Sequence, residues 1–468
     1  MEIPHSNETP GRPKSYLRLW HTIQRMDISS SLVKSTAVAA LGGLLFGFDT
    51  AVIAGATSQL SSAFSLGPTE LGITVSSALI GTIFGAMLAG IPGDRLGRRD
   101  SLRLMAVLYI VSALGCAFAW NWPAWILFRF IGGLGIGGSS VLGPMYIAEI
   151  APAKWRGRLV GFFQLNIVAG ILLAYFSNYV IGLEGLGAAE WRWKLGVSAV
   201  PAVLFFLMLF TIPRSPRWLV KKGRVPEARA VLQQIGERDV ETALQDIVGS
   251  IDALHGHAQE PLFHAKFRLP IFLAVTIGMF NQLSGINAIL YYLNDIFAAA
   301  GFSKVSGDLQ AVAIGFTNLI FTMIAMTVID RLGRKKLLLT GAIGCAACLG
   351  GVAAILASGA HANLLVWLFV GFIAFFAFSQ GAVIWVYLGE VFPTSVRASG
   401  QSLGSFTHWV MNAAISFAFP VIVANYSKAA PFVFFAVMTA VQFVVVLAFY
   451  PETKGVSLED LQKKLVAG

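Results

Sequence analysis

The chain has 468 residues, of which 56% are hydrophobic and only 12% are charged. Ordinary globular proteins carry about 25% charged residues, so a water-soluble fold of this size could not cover its surface. These figures, with only three cysteines, also exclude a disordered chain, a collagen and a disulfide scaffold. The composition predicts an all-α membrane protein. The net charge of +10 comes from short basic clusters between apolar runs, so it does not indicate a nucleic-acid partner.

Twelve apolar runs of about 20 residues are each long enough to cross a bilayer as a helix. The runs are continuous and do not alternate with polar residues, which excludes a β-barrel. Residues 1–33 are polar and basic, and they contain no pattern of a cleavable signal peptide. The predicted spans are 35–57, 70–91, 102–120, 124–147, 159–181, 194–212, 270–298, 309–329, 336–358, 363–388, 401–423 and 430–450.

The lysine and arginine residues predict the orientation of these spans. Of the 34, 29 fall in the two tails and in the loops of one side. Arg129 lies inside a span, and the opposite side holds only Arg192, Lys194, Lys304 and Lys428. Because basic residues collect on the inner side of a membrane, both termini are predicted to be cytoplasmic, in a multi-pass protein of the plasma (inner) membrane.

The spans divide the chain into five predicted segments. The long polar stretch between spans 6 and 7 contains helix-like pieces at 226–236 and 240–254, which favours a small helical subdomain over a simple linker. The segments are an N-terminal tail (1–34), a six-helix bundle (35–212), a cytoplasmic helical linker (213–269), a second six-helix bundle (270–450) and a C-terminal tail (451–468).

Three motifs occur twice at nearly one spacing. Asp-Arg-Leu-Gly-Arg at 94–98 occurs again at 330–334. The other two motifs occur again after 241 and 238 residues. These two motifs are Glu149 and Arg156 with Glu390 and Arg397, and 213–217 with 451–455. The repeats predict two parallel halves of six spans, which is a transporter architecture with its substrate site at the midplane between the halves.

The repeated loops also carry acids that the positive-inside rule does not explain. Acids beside arginines at helix ends can form ion pairs. We expect these pairs to hold the cytoplasmic side closed in one state and to separate in the other. The predicted gate residues are Asp94, Arg98, Glu149, Arg156, Asp330, Arg334, Glu390, Arg397 and Glu452.

Motifs outside the repeat are more specific. They are Ser-Pro-Arg-Trp-Leu at 215–219, Gln-Leu-Ser-Gly-Ile-Asn at 282–287 and Pro-Glu-Thr-Lys-Gly at 451–455. With the two arginine-rich loops, they make nearly the whole chain resemble the sugar porter family of the major facilitator superfamily. The resemblance implies that family's fold and alternating access to a monosaccharide. The relatives it suggests are bacterial proton-linked pentose and hexose carriers, and more distantly the glucose facilitators.

Several amides and aromatic rings fall inside the spans. A sugar offers hydroxyls and weakly apolar faces, so binding it within a membrane requires amide donors and acceptors together with aromatic rings. For any single buried amide the alternative is a hydrogen bond between helices. Gln282 and Asn287 lie about 140° apart around a straight helix, so no tight pair is expected. The predicted substrate-binding residues are Phe46, Gln164, Asn281, Gln282, Asn287, Tyr292, Asn318, Trp385, His408, Trp409 and Asn412.

The resemblance assigns roles to some of these residues. Those that match sugar-contacting positions are Gln164, Gln282, Asn287, Asn318, Trp385 and Asn412, with Phe46 as a hydrophobic wall and Tyr291 and Tyr292 as a gating pair. Asn281 and His408 stand where relatives often have glutamine, which leaves the preferred sugar open. Arg214 stands where relatives have glutamate, so a contact through that acid is missing or reversed in the first half, whereas Glu452 keeps it in the second.

Asp49 and Arg129 are the only charges placed deep in the predicted spans. An isolated charge at that depth costs about 2.5–3.5 kcal/mol on insertion scales, so the two are expected to face the interior and to pair. By resemblance, Asp49 matches the proton site of the symporters. A movement that separates the carboxylate from the guanidinium would load and release a proton. The alternative is a static structural ion pair.

The sequence therefore predicts a transporter of a hexose or pentose that works by alternating access with proton symport. A passive facilitator and a non-transporting sugar sensor are the alternatives. An enzyme is not predicted, because no nucleophile, nucleotide-binding or metal motif is found; the glycine motif at 133–138 lies inside a span, where helix packing explains it better. No cofactor is expected beyond the proton, and the predicted partners are the sugar and the lipid bilayer, with the chain acting as a monomer.

Overall fold

The computed structural model describes residues 29–152, 154–256, 260–393 and 395–456, with Leu461 and Leu465. The predicted tails lie largely outside this part of the chain. Within these described residues, twelve helical spans are long and apolar enough to cross a membrane, which confirms the predicted fold class. They are Ser30–Gly55, Pro68–Arg95, Arg98–Ala117, Trp122–Ile150, Arg156–Leu183, Gly187–Met208, Ala265–Tyr291, Lys304–Leu332, Arg334–Ser358, Ala362–Glu390, Arg397–Asn425 and Ala430–Phe449.

Most spans begin a few residues before the predicted positions. Hydropathy locates the apolar middle of a helix, but side-chain caps fix its first turn. Ser29, Asn121 and Ser303 each accept a hydrogen bond from a backbone N–H three residues on, at 3.1, 2.9 and 3.3 Å. The largest differences are in span 6, which begins at Gly187 instead of 194, and in span 7, which ends at Tyr291 before a separate helix, Leu293–Ala299.

Span 7 is broken in the middle. Helices Arg268–Leu283 and Ile286–Tyr291 are separated by Gly285, whose φ of +80° is left-handed and favours glycine. A Cβ at Gly285 would also lie 2.2 Å from the Phe435 ring. The break overturns the straight-helix expectation for Gln282 and Asn287, because it brings their side chains within hydrogen-bonding distance.

Equivalent contacts recur in the two halves. At the end of span 4, Tyr146 Oη donates to Pro213 O (2.8 Å), and Tyr387 Oη donates to Pro451 O (3.3 Å) in span 10. The hydroxyl of Ser215 donates to Glu149, as Thr453 Oγ1 does to Glu390 (2.6 Å). The offsets are those of the sequence motifs, so the predicted parallel repeat is confirmed.

Glycines allow the spans to approach closely. A Cβ at Gly81 would lie 2.2 Å from Phe130 O on span 4, and one at Gly133 would lie 2.0 Å from Ala78 O on span 2. The glycine motif at 133–138 is therefore a helix-packing surface, as predicted; it contacts span 2 at Gly133 and span 3 at Gly138.

The linker is helical and packs against the first half. Its helices are Pro216–Lys221, Val225–Gln234 and Val240–Gly256. Trp218 is buried and donates its indole N–H to Asp94 O (3.1 Å), while Lys221 Nζ lies 3.1 Å from Asp94 Oδ2. The linker thus covers the face of the first half that carries the repeated arginine loops.

The polar contacts at one end of the molecule lie within each half, and those at the other end join the two halves. We call the face with Arg98, Glu149, Arg334 and Glu390 the basic face, and the other end the opposite face. Ion pairs on the basic face join residues of one half, such as Arg98 with Glu149 (2.9 Å) and Arg334 with Glu390 (2.8 Å). Polar contacts between the halves lie toward the opposite face, where Tyr175 Oη donates to Leu290 O (2.8 Å).

One contact on the basic face has opposite charges in the two halves: the segment after span 12 contributes an acid, and the segment after span 6 contributes a base. In the second half, Glu452 accepts from the backbone N–H groups of Arg334 (2.8 Å) and Lys335 (3.1 Å) at the start of span 9. In the first half, Asp100 supplies the negative charge in the first turn of span 3, and Arg214 pairs with it at 3.0 Å. Each helix N-terminus thus has the anion that its dipole favours, from a different segment.

Because of the ion pair with Asp100, we expect the stability of the protein to depend on the charge of the side chain at position 214. Arg214→Gln removes the ion pair, and Arg214→Glu places a second acid beside Asp100. Because both side chains are partly exposed, each step should lower the free energy of unfolding by only about 1 kcal/mol. Thermal unfolding in detergent measures the order, wild type above Gln above Glu; a Glu variant as stable as the Gln variant contradicts the assignment.

Candidate functional site

Gln282 is the centre of a buried polar cluster in the second half. Its Nε2 donates to Asn281 Oδ1 (3.1 Å) and lies 3.2 Å from His408 Nε2. Its Oε1 accepts from Asn287 Nδ2 (3.1 Å) across the break in span 7. The cluster joins spans 7 and 11, and its amides have both donors and acceptors that can exchange with the hydroxyls of a ligand.

Aromatic rings border this cluster. The ring of His408 lies 5.2 Å from that of Trp385 and 5.1 Å from that of Trp409. Trp409 is in turn 5.5 Å from Phe46 on span 1. Trp385 is 38% exposed, whereas the other rings of this group are mostly covered. The polar cluster of the second half therefore lies beside the aromatic contact between Trp409 and Phe46, which joins the two halves.

Asn412 and Tyr291 extend the cluster along span 11. Asn412 is fully buried; its Nδ2 donates to Tyr291 Oη (3.3 Å) and its Oδ1 accepts from Ser416 Oγ (3.2 Å). Tyr291 and Trp409 also line a small cavity. Tyr291 therefore lies between the amides of span 11 and that cavity.

The same cavity contains the charged pair. Arg129 Nη1 donates to Asp49 Oδ1 at 2.7 Å, and both side chains are largely buried. Asp49 Oδ2 and Arg129 Nε are buried without a hydrogen-bond partner. The ion pair therefore uses only part of the hydrogen-bonding capacity of each group.

Other predicted residues lie apart from Gln282. Tyr292 Oη donates to Ser416 O (3.0 Å), and its ring stacks on Phe419 at 5.1 Å. Asn318 is buried on span 8, where its Oδ1 accepts from Thr322 Oγ1 (3.5 Å) on the same helix. Gln164 is half-buried on span 5. Of the predicted gating pair, the structure brings Tyr291 to the cluster and turns Tyr292 away.

The predicted gate residues form two equivalent groups. Arg98 pairs with Glu149 and with Asp94 (3.3 Å), and Arg334 pairs with Glu390 and with Asp330 (2.9 Å). The remaining gate residues differ in their contacts: Arg156 is exposed, Arg397 Nε donates to Phe392 O (3.2 Å), and Glu452 holds the start of span 9. In this conformation each acid is therefore held by its own half.

A second group of buried charges was not predicted. Lys194 is 0% exposed and pairs with Glu190 and Asp308 near the opposite face. The sequence placed Lys194 on the opposite side, as the first residue of predicted span 6, but did not predict its ion pairs. The spacing of Glu190 and Lys194, one helical turn apart, was the available signal.

Gln380 was also missed. It is 1% exposed at the break between Leu365–Phe378 and Gln380–Glu390, and neither of its side-chain polar atoms has a hydrogen-bond partner. Within the described ranges there is no group of three or more His, Cys, Asp or Glu side chains that could hold a metal ion.

Two six-span halves with a polar and aromatic site between them define a transporter of the major facilitator superfamily. The sequence matches the family described as Sugar (and other) transporter over residues 35–465. The chain belongs to this sugar porter family; it is a multi-pass membrane transporter and not an enzyme.

Individual members of the family are similar to this chain over nearly its whole length. The D-xylose-proton symporter of Escherichia coli is 36% identical over 471 residues, which cover 93% of this chain and 96% of the symporter. The arabinose-proton symporter of Bacillus subtilis is 36% identical over 437 residues, which cover 92% and 94%. The inward open conformation of the xylose transporter XylE from E. coli matches with a TM-score of 0.83 at 34% identity, covering 93% of this chain and 100% of that one.

Gly47 should be essential for the shape of the site. It lies between Phe46 and Asp49, and a Cβ there would be 1.8 Å from Ile167 O on span 5. Gly47→Ala must push spans 1 and 5 apart, which should lower the free energy of unfolding by about 1–3 kcal/mol.

The matched control is Gly350→Ala, since a Cβ at Gly350 meets no atom within 4 Å. This control should keep or slightly raise stability, because alanine favours the helix. Thermal unfolding in detergent compares the two; equal midpoints would contradict the close approach of spans 1 and 5.

Proposed function

We propose that the chain carries a monosaccharide across the membrane by alternating access, together with a proton. The observation that carries this proposal is the position of the Gln282 cluster and its aromatic rings beside the cavity that holds Asp49 and Arg129. The relatives support it, since two that are 36% identical over most of their length are named sugar-proton symporters.

The sugar binds between the halves. Without sugar, the amides around Gln282 hydrogen-bond to one another. When the sugar binds, they form hydrogen bonds with its hydroxyls, so few of their donors and acceptors lack a partner in either state. The exposed face of Trp385 covers the C–H face of the ring, and Phe46 with Trp409 closes the side toward span 1. Gln164 and Asn318, from spans 5 and 8, complete the contacts when the halves approach.

Alternating access follows from how the halves touch. Their polar contacts lie toward the opposite face, and the acids of the basic face are held within each half. The similarity to an inward open conformation agrees with a state that is open toward the basic face. When that face closes, Glu149 and Glu390 pair with Arg397 and Arg156 of the other half, which gives the gate a contact that exists in one state only.

The proton is carried at Asp49. Protonation of its free Oδ2 neutralises the acid and weakens the contact with Arg129, so that the guanidinium can turn away. Tyr291 and Trp409 lie in the same cavity as this pair and in contact with the sugar site, which places the two ligands close enough to affect each other.

The orientation and organisation follow the charge pattern. The basic face is cytoplasmic, as are both termini, in a plasma (inner) membrane protein that acts as a monomer. The domains are the predicted bundles 35–212 and 270–450, with the linker 213–269 on the cytoplasmic surface. The sugar and the lipid bilayer are its partners, and it uses no cofactor besides the proton.

Uptake of radiolabelled glucose and xylose into proteoliposomes tests the function. An inward proton gradient should drive accumulation of at least one of the two sugars. Asp49→Asn should abolish accumulation and spare sugar exchange, because the neutral amide cannot be deprotonated. Accumulation that survives in Asp49→Asn refutes the role of Asp49; equilibration of the wild type that ignores the gradient identifies a passive facilitator.

Sugar recognition is tested at Gln282. Gln282→Ala removes the amide that connects Asn281, Asn287 and His408, and should raise the KM for exchange about tenfold, a loss of roughly one hydrogen bond. The control is Asn166→Ala, since the Asn166 side chain donates to Phe162 O on its own helix (2.9 Å). Equal KM values for the two variants would show that Gln282 does not contribute to sugar binding.

A further inference from the structure

A buried cluster of charges joins the two halves near the opposite face. Lys194 of span 6 is 0% exposed, and its Nζ lies 2.8 Å from Glu190 Oε1 and 3.3 Å from Asp308 Oδ2. Glu190 belongs to the same half as Lys194, whereas Asp308 belongs to span 8 of the other half. Lys194 also donates to Gly55 O (3.2 Å) at the end of span 1, the span that carries Asp49.

A second pair crosses the halves beside the first. Lys304 Nζ of span 8 lies 2.6 Å from Glu190 Oε2. The amides around the acids are Asn294, which donates to Asp308 Oδ1, and Gln59, which donates to Glu190 Oε2 (3.5 Å). We call Lys194, Glu190, Asp308 and Lys304 the lysine cluster; its two cations and two acids are balanced in charge.

Asp308 is seated directly against the first half. A Cβ at Gly182 of span 5 would lie 2.9 Å from Asp308 Oδ2 and 3.8 Å from Lys194 Nζ. The absence of a side chain at Gly182 therefore leaves the space that the carboxylate occupies. Both acids are shielded as well, with side chains only 4% (Glu190) and 1% (Asp308) exposed.

We infer that the lysine cluster holds the opposite face closed and that Lys194 is a positioning residue that sets the balance between the two states of the transporter. Opening of this face must separate Lys194 from Asp308 and Lys304 from Glu190, because each pair has one member in each half. This inference rests on the alternating access of the proposed function.

The energetics of buried ion pairs make Lys194 a sensitive position. In a complete buried pair, the attraction between the charges roughly offsets the loss of their hydration. Removal of one partner leaves a buried charge without compensation, which is strongly unfavourable. In this protein the stranded acid recovers water when the opposite face opens, so a single substitution should favour the open state and not only lower stability.

Distances across the opposite face test this inference. Spin labels are placed at Ala188→Cys and Ala424→Cys, which are exposed on that face in different halves, after the native cysteines Cys116, Cys345 and Cys348 are replaced by serine. Electron resonance then measures the distance between the labels in detergent, without sugar or a proton gradient. The parent chain should show mainly the short distance of a closed face.

Lys194→Met should shift the ratio of long to short distances about tenfold or more, because it leaves Asp308 unpaired in the closed state. The double variant Lys194→Met with Asp308→Asn should return most of the population to the short distance, since no stranded charge remains. Lys428→Met is the matched control: Lys428 is exposed on the same face and donates to Ala299 O (3.0 Å) within its own half.

An unchanged distribution in Lys194→Met, or an equal shift in Lys428→Met, overturns the inference. Failure of the double variant to recover the short distance also overturns it, because a purely structural effect of losing Lys194 would not be rescued at Asp308. If Lys194→Met does not fold, Asp308→Asn alone must show a shift in the same direction. The distances do not depend on transport, so a failure of the proposed sugar or proton coupling would be seen separately in the uptake assay.

Discussion

The hydrogen bonding of the backbone in an apolar medium is the constraint on which the rest of this structure depends. A span can be interrupted only where protein covers the freed polar groups. Span 7 is interrupted at Gly285, against Phe435, and this single break lets side chains five residues apart converge at Gln282. The polar cluster around Gln282 therefore depends on a local departure from the helix, which neighbouring spans shield.

The distribution of charge then differs between the two ends of the molecule. On the basic face, the arginines Arg98 and Arg334 are paired within their own halves. On the opposite face, Lys194, Asp308, Glu190 and Lys304 pair across the boundary. Between these two ends lie the aromatic rings around His408 and the Asp49–Arg129 pair.

The sequence predicted the features that are encoded locally. Hydropathy located the twelve spans, and the repeated loops established the two halves, because both are properties of short segments. The Gln282–Asn287 contact was not predictable from the period of a straight helix, since it requires the left-handed turn at Gly285. The burial of Lys194 was not predicted, because it depends on the contact with Asp308, more than a hundred residues away in the chain. The same dependence on packing decides which of Tyr291 and Tyr292 faces the cavity.

The contact between Arg214 and Asp100 has a consequence for how the duplicated chain assembles. Each half must recognise the segment that follows its last span, and the two segments are similar enough in sequence to compete. If the segment after span 12 lay against span 3, Glu452 would meet Asp100; if the segment after span 6 lay against span 9, Arg214 would approach a helix N-terminus flanked by lysines. The opposite charges of Arg214 and Glu452 therefore disfavour an exchange of these two segments between the halves.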